Sequence, residues 1–295
     1  MAIAYSASST AAVAGSSGTF TSITHIGQTA TATTSVANNF ATNDTVIITG
    51  CTPADYNGTW VVTVSSSTVF VYTMAASPAS DASDAPIMSY KGTLDIARST
   101  ASDNLGLVLF VDPLGGKAAN TPTGWTHRVD SPYTGTNGKV VQSYTRVSSS
   151  EPTTLNITFS GTTINTIDLI AIQAAYTGVD TASMYDTASG TATAASINIT
   201  ANSVTTALDN EMLVACYLYF NTSAFTPPAG MTYRTQISGP TGSWTMIICD
   251  ALQAVAGASG NKTATIGTAS ACEAVMVALK PAAAGGSTGQ WFLAC

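Results

Sequence analysis

Short runs of β-branched and aromatic residues recur along the whole chain, separated by Gly, Asn, Asp and Pro, which is the pattern of β-strands joined by turns. No window holds apolar residues at the i, i+3, i+4, i+7 spacing of an amphipathic helix for long. No segment between the strands offers the crossover helix that parallel strands need. The sequence therefore predicts an all-β fold built from antiparallel sheets.

The first third of the chain contains four short strand patterns. They lie at residues 31–36, 45–49, 59–64 and 69–73. Asn57-Gly58 is the strongest turn signal among them, because both residue types tolerate a positive φ. We predict a small N-terminal β-barrel or meander, a module of residues 1–74. Residues 75–89 begin with AASPASDASDAP, which has no apolar period and indicates a linker.

From residue 90 onward the strand patterns are more widely spaced, and there are ten or eleven of them up to Lys280. They include patterns at residues 106–112, 263–268 and 271–280. This spacing predicts an antiparallel, jelly-roll-like β-sandwich over residues 90–280. In residues 212–220 both alternating faces are apolar, so we expect a central strand that is covered on both sides. Residues 281–295 are predicted to be a flexible tail with an apolar tip.

Charged side chains are scarce. The chain has 9 basic and 16 acidic residues, or 8% charged, where soluble domains have ~25%. The formal net charge of −7 leaves no basic stripe for nucleic acid or for an anionic membrane surface. More than a quarter of the residues are Ser or Thr, so the surface is polar through hydroxyl groups. The first residues lack the basic and apolar regions of a signal peptide, and no membrane insertion is expected.

The five cysteines are widely spread and contain no CxxC pair, which argues against a zinc site. Cys216, Cys249 and Cys272 lie in apolar strand patterns, where a free cysteine acts as a small hydrophobe. Cys295 is the last residue and is a candidate for pairing with another chain.

The final residues are abruptly apolar. Trp291, Phe292 and Leu293 either fold back on their own domain or dock on a neighbouring subunit, and the sequence leaves both alternatives open. Together with Cys295 they are the candidate residues for contact between subunits.

Catalytic patterns are weak. His127 lies close to Asp130, but no GxSxG motif is present to expose a nucleophile, so we expect a structural histidine. Glu151, Glu211 and Glu273 are the glutamates available for glycoside hydrolysis, which needs two carboxylates in one cleft. Glu151 lies in a turn sequence and Glu211 at the start of a strand pattern, where solvated acids are common.

A loop flanked by Asp180 and Asp186 offers oxygen ligands for calcium, but no EF-hand or nonapeptide repeat supports that use. His25 has no acidic neighbour in the sequence and is expected to be structural. The sequence predicts a protein that is not an enzyme and has no cofactor or metal.

Aromatic residues in a Gly/Pro-rich segment suggest a sugar-stacking surface. Trp125 and Tyr133 lie in TPTGWTHRVDSPYTGTNG and are the candidate glycan contacts. The alternative is core packing, because large aromatic residues in β-proteins mostly bury their area inside.

Two stretches resemble modules of tailed-bacteriophage structural proteins. NNFATNDTVIITGCTPADYNGTWVVTVSSSTVFVYTM is similar to a small phage β-module with an NGT turn and a final xxFxY strand, although Asn43-Asp44 replaces the usual Gly-Asp. The segments TPTGWT, YTRVSSSEPTT and AYTGVD resemble the jelly-roll sandwich domain of phage exterior proteins. The resemblance covers about two thirds of the chain.

This resemblance implies a non-enzymatic structural protein on the exterior of a virion, assembled in the host cytoplasm and released by lysis. A capsid decoration protein is favoured over a tail-fibre or adaptor subunit, because the chain has no coiled-coil heptads and no repeat array. The implied partners are other virion proteins and further copies of the chain, with a trimer as one candidate assembly. The alternative function is a carbohydrate-binding module for attachment to a host surface glycan.

Overall fold

The fold is given by a computed structural model. It describes residues 2–13, 20–35, 38, 40, 42–83, 87–91, 93–99, 102–112, 118–132, 140–160, 169–239, 242 and 244–283. These ranges contain 22 β-strands and one 3-10 turn, Ala54–Tyr56, and every strand pair is antiparallel. The predicted all-β sandwich is confirmed. Within the same ranges no helix is long and apolar enough to cross a membrane.

The strands differ widely in length, from two residues to eighteen. In chain order they are β1 Ala4–Val13, β2 Phe20–Ile26, β3 Thr29–Thr34, β4 Thr45–Thr49, β5 Gly58–Ser66, β6 Val69–Thr73, β7 Ile87–Lys91, β8 Thr93–Ala97, β9 Gly106–Asp112, β10 Ala118–Ala119, β11 Thr126–Asp130, β12 Gln142–Val147, β13 Thr154–Ser160, β14 Leu169–Thr177, β15 Tyr185–Ala201, β16 Thr205–Thr206, β17 Glu211–Tyr219, β18 Phe225–Thr226, β19 Thr232–Ser238, β20 Thr245–Gln253, β21 Gly257–Ala258 and β22 Lys262–Leu279.

The N-terminal module is a six-stranded sheet with the order β2-β3-β6-β5-β4-β7. Its strands alternate buried and exposed residues, as expected for a sheet with one face on a core. The reversal before β5 is not the predicted Asn57-Gly58 turn. Asn57 is extended, and its side chain bonds the backbone N–H and C=O of Cys51, at 2.8 Å and 3.0 Å, after the 3-10 turn.

Strand pairing crosses the predicted domain boundaries at two places. The strand β1 lies within residues 1–74 but pairs with β14 of the sandwich along its whole length. The strand β7 overlaps the predicted linker, residues 75–89, and pairs with β4 of the module. Ala82 and Ser83 also donate backbone hydrogen bonds into the module, at 3.1 Å and 3.0 Å. The described part of the predicted linker therefore packs on the module.

The sandwich contains a five-stranded sheet with the order β1-β14-β9-β12-β11, which we call the first unit. All seven residues of β9 are buried, because both faces of this sheet are covered. Leu107, Leu109 and Val111 share a core with the N-terminal module and with the small sheet β10-β13-β8. Val108 and Phe110 point the other way, toward a second large sheet.

That second sheet has the order β15-β22-β17-β20-β19, and we call it the second unit. All nine residues of β17 are buried, which confirms the prediction of a central strand covered on both sides. One face packs on the first unit. The other face is covered by the outer halves of the long strands β15 and β22, which contribute Ile199, Ala264 and Ile266. Two strands predicted at 263–268 and 271–280 are thus one continuous strand.

The two units repeat one topology. Numbered along the chain within each unit, the strands lie in the order first, fifth, second, fourth, third in both sheets. The six-stranded N-terminal module is inserted after the first strand of the first unit. No repeat array was predicted from the sequence, and the strand pairing reveals this twofold repetition.

The repetition extends to single residues at the start of the third strand of each unit. Residues 124–128 read GWTHR and residues 230–234 read GMTYR. Gly124 and Gly230 have φ values of 80° and 76°, in the left-handed region that favours glycine. The residue after each glycine donates its N–H to a proline carbonyl three positions earlier, at 3.0 Å and 3.1 Å. The two units therefore place an arginine, Arg128 or Arg234, at equivalent positions.

Candidate functional site

The two equivalent arginines reach across the boundary between the units. The Cζ atom of Arg128, from the first unit, lies 4.1 Å from the ring centroid of Tyr185, from the second unit. The Cζ atom of Arg234, from the second unit, lies 4.6 Å from the ring centroid of Tyr5, from the first. Both are cation–π contacts within the ~6 Å range. Tyr5 is the second residue of β1 and Tyr185 is the first residue of β15, and a β-bulge follows each of them.

The two arginines differ in their polar partners. Arg234 Nε donates to Asp250 Oδ2 at 2.8 Å, and that carboxylate also accepts the Tyr176 hydroxyl at 3.1 Å. Arg128 Nε donates instead to Thr145 Oγ1 at 2.6 Å. Thr145 occupies in β12 the position of Asp250 in β20, since each pairs with the first residue of the neighbouring third strand. The first unit therefore replaces a buried carboxylate with a neutral hydroxyl.

This exchange changes the charge at the two sites. The hydrogen bond to Asp250 raises the pKa of Arg234, whereas burial lowers the pKa of Arg128. Among the described residues, no carboxylate oxygen lies within 4.0 Å of an Arg128 nitrogen. The guanidinium of Arg128 remains a cation because arginine does not deprotonate in proteins. It is a positive charge without a carboxylate in the described part of the chain.

A hollow of about 310 Å³ adjoins this cation, and we call it the Arg128 hollow. Its wall carries five hydroxyl groups and two guanidinium groups, and no Asp or Glu is among the described residues that line it. The polar lining residues are Thr126, Arg128, Thr145, Arg146, Thr181, Ser183 and Tyr185. This is the candidate functional site of the described structure.

The second arginine of the hollow is neutralised. Arg146 Nε forms an ion pair with Glu151 Oε1 at 2.7 Å, and Arg146 Nη1 donates to the carbonyl oxygen of Thr123 at 3.0 Å. The Glu151 side chain is only 6% exposed, so this pair is well shielded from solvent. Glu151, a candidate glycosidase carboxylate, is thus an ion-pair partner in this fold.

Trp125 is not a sugar-stacking residue in this structure. It is 6% exposed and belongs to the core that the first unit shares with the N-terminal module. The prediction that Trp125 contacts a glycan is corrected, because an indole ring enclosed in a core has no face for a sugar. Core packing, the alternative, is what the structure contains. Tyr133 lies outside the described residues, and so do the candidate docking residues Trp291, Phe292, Leu293 and Cys295.

The remaining carboxylate candidates do not share a cleft. Glu273 lies opposite Leu218 in the pairing of β17 with β22, and it accepts hydrogen bonds from the Ser131 hydroxyl and the Val141 N–H. Glu211 is the first residue of β17 and precedes Leu218 by seven residues. Along the strand it therefore lies about 23 Å from the position that Glu273 faces. Burial, followed by the charge of Asp186, raises the pKa of Glu211. Two carboxylates so far apart cannot act on one glycosidic bond.

The two histidines each contact an acidic residue. His127 Nε2 lies 2.6 Å from Asp130 Oδ1, with both side chains about 40% exposed. His25 Nδ1 lies 3.0 Å from Asp81 Oδ1, an acidic partner that the sequence around His25 did not indicate. Asp81 is 56 positions away in the chain, and only the packing of residues 75–83 on the module brings it close. The ring of His127 also packs edge-on against Tyr144, at a centroid distance of 5.3 Å.

The candidate calcium loop uses its carboxylates internally. Asp180 Oδ1 accepts the N–H groups of Ala182 and Ser183, at 2.9 Å and 3.2 Å. Asp186 pairs with Lys280 at 3.6 Å and accepts the Ala207 N–H at 2.8 Å. In the part of the chain that the structure describes, no group of three or more His, Cys, Asp and Glu side chains is placed to hold a metal ion.

Four cysteines are free and buried, which confirms the prediction for Cys216, Cys249 and Cys272. Burial is the main cause that raises the pKa of Cys249 to about 12 and that of Cys272 to about 11. Since the folded state favours the neutral thiol, these groups stabilise the fold below the unfolded pKa of ~8.5, and this contribution is lost as the pH rises above it.

We therefore expect iodoacetamide at pH 8 to alkylate Cys249 and Cys272 in the native protein on the order of 10²- to 10³-fold more slowly than in guanidinium. Peptide mapping by mass spectrometry gives the rate at each cysteine. Equal rates in the native and the unfolded protein would contradict the burial of these thiols.

Comparisons with known proteins identify no relative. No family model, no curated protein and no solved structure matches this chain. The loop between Asp180 and Asp186, which lines the Arg128 hollow, was considered in the sequence only as a calcium site, and Arg128 and Thr145 were not singled out. The signal that could have found them is the recurrence of G-x-T-x-R at residues 124–128 and 230–234.

Proposed function

We propose that this chain is a non-enzymatic structural component on the exterior of a tailed-phage particle, with a capsid decoration protein as the favoured form. The observation that carries the proposal is an all-β surface with few charges: 25 charged side chains, 9 basic and 16 acidic, in 295 residues. A contact between such surfaces desolvates few charged groups, which is the costly part of forming an interface. Strands rich in Ser and Thr can also hydrogen-bond across the contact.

Exposed apolar side chains on the strands support the same proposal. Ile26 is 89% exposed at the end of β2, Val61 is 61% exposed in β5, and Val255 is 69% exposed after β20. Single exposed apolar residues are normal, but together with a charge-poor surface they favour association. Neighbouring copies or other virion proteins are the proposed partners. The alternative form is a tail-fibre or adaptor subunit.

The test is to locate the protein on particles of the phage or prophage whose genome encodes it. Particles are purified on a density gradient, probed with an antibody against the chain, and viewed by immunogold electron microscopy. Gold on the head supports decoration, and gold on the tail supports a fibre or adaptor. Particles that carry no detectable chain would contradict both forms.

Association of the chain, with itself or with particles, is expected to change little with salt. Contacts between charge-poor surfaces have little Coulomb energy to screen, so the dissociation constant should change less than about threefold between 0.05 M and 0.5 M NaCl. Sedimentation velocity across this salt range measures the change. Complexes that dissociate in 0.5 M NaCl would show that charge holds the contact.

Deletion of residues 290–295 tests the docking role proposed for Trp291, Phe292, Leu293 and Cys295. Removing an apolar tip that contacts a neighbour should weaken particle binding by at least about tenfold, or 1.4 kcal/mol. The matched control replaces residues 286–289, the polar GSTG before the tip, with four alanines. If both variants bind particles as the parent chain does, the tail has no docking role.

A further inference from the structure

We propose that the Arg128 hollow is a binding site for a small hydroxylated ligand that carries an oxyanion, with acidic sugars such as D-glucuronate as the ligand class. This inference does not depend on the phage assignment. It rests on the comparison of two equivalent arginines within one chain, of which one is neutralised internally and the other is not.

In the second unit the equivalent arginine is neutralised by a carboxylate of the same unit. Arg234 is held by the buried carboxylate of Asp250, which is 2% exposed, and it stacks on Tyr5. In the first unit the stacking partner is kept as Tyr185, and Thr145 stands in place of the carboxylate. The arginine thus keeps its fixed orientation but lacks its counterion. A ligand oxyanion would occupy the role that Asp250 has in the second unit.

The geometry of the cation suits an oxyanion. A guanidinium is a planar fork of N–H donors that matches carboxylate and phosphate groups. Arg128 is held on two sides, by the Tyr185 ring at 4.1 Å and by the Thr145 hydroxyl at 2.6 Å, so little of its rotamer freedom remains to be lost on binding. The neighbouring Arg146 is compensated by Glu151 at 2.7 Å, which leaves about one net positive charge at the hollow.

The rest of the wall suits a ligand with hydroxyl groups. Thr126, Thr181 and Ser183 add side-chain hydroxyls, each of which can donate and accept. The volume of about 310 Å³ lies at the small end of the ~300 to 1,000 Å³ typical of ligand pockets. Thr181, Ala182 and Ser183 are exposed, so the hollow opens to solvent and a ligand can enter without a change of fold.

The experiment is a ¹H–¹⁵N chemical-shift titration of the full chain with D-glucuronate, D-glucose and inorganic phosphate. We expect saturable shifts with D-glucuronate at a dissociation constant on the order of 1 mM, centred on residues 124–128 and 181–185, and none with D-glucose. Phosphate distinguishes the sources of the oxyanion. Binding of phosphate but not glucuronate assigns the site to phosphate esters, and the proposed sugar class is then wrong.

Two variants place an internal carboxylate beside Arg128. Thr145→Asp copies the arrangement of the second unit and should abolish measurable binding, a loss of at least about tenfold, while the thermal midpoint stays the same or rises. Ala182→Glu adds a carboxylate at an exposed position on the rim and keeps the test informative if Thr145→Asp does not fold. Ala182→Gln is its neutral control and should bind like the parent chain.

Three outcomes would overturn the proposal. They are D-glucose binding as tightly as D-glucuronate, Ala182→Glu binding D-glucuronate within about twofold of Ala182→Gln, and no saturable shift with either D-glucuronate or phosphate at about 20 mM.

Discussion

Replacing Phe110 with alanine is expected to lower the free energy of unfolding by about 4 kcal/mol. Phe110 is fully buried and lies in the core between the two units, on the face of β9 opposite to Leu109. Deleting its ring removes apolar area and leaves a cavity, because β9 is paired on both sides and cannot move into the space. Urea unfolding followed by tryptophan fluorescence and far-UV circular dichroism measures the loss.

The matched control is Ile26→Ala. Ile26 is a large apolar residue near the end of a strand, but it is 89% exposed, so its truncation should change the free energy of unfolding by no more than about 0.5 kcal/mol. A Phe110→Ala loss below about 1 kcal/mol would mean that the two units do not pack through this face.

Replacing Asp250 with alanine is expected to cost about 3 kcal/mol. Asp250 Oδ2 accepts hydrogen bonds from Arg234 Nε and from the Tyr176 hydroxyl, and Tyr176 belongs to the other unit. Removing the carboxylate leaves a shielded cation and a buried hydroxyl without their partner. Since the Arg234 side chain is 27% exposed, water screens part of its charge. The expected loss of unfolding free energy therefore lies at the lower end of the range for buried pairs.

A double-mutant cycle with Tyr176→Phe isolates the contact between the units. Tyr176→Phe alone removes one hydroxyl and should cost about 1 kcal/mol, and less than that in the Asp250→Ala background. Thr145→Ala, at the equivalent position of the first unit, should cost about 1 kcal/mol because it breaks only a hydrogen bond to Arg128. If the effects of Asp250→Ala and Tyr176→Phe are additive, the two side chains are not coupled.

Both expected losses depend on the packing of the two units against each other. The sequence pattern predicted the strands of these units only in part. The strands of the core could be predicted because their residues are apolar and β-branched: β4, β6 and β9 match their predicted bounds. The missed strand β1 reads AYSASSTAAV, and the missed first half of β15 reads YDTASGTATA. Small and hydroxylated residues do not form the alternating apolar and polar pattern of a strand. These segments are strands because each pairs with an apolar inner strand, β14 or β22.

The candidate site could not be predicted for a related reason. Arg128 and Tyr185 are 57 positions apart, and neither belongs to a recognisable catalytic or binding motif. Their contact follows from the packing of two units whose strand order appears only once the pairing is known. The wrong prediction that Trp125 is exposed to a glycan has a local cause. A Gly/Pro-rich surrounding suggests an exposed loop, but Gly124 makes a turn that directs the indole into the core.

The measurement that tests the central claim most directly is a cryo-EM map of the assembled particle from the phage or prophage that encodes this chain. We expect outward-facing density into which the two stacked sheets of the first and second units fit, with neighbouring copies or other virion proteins in contact through charge-poor surfaces. A complete map of the particle in which no exterior density accommodates this fold would contradict it.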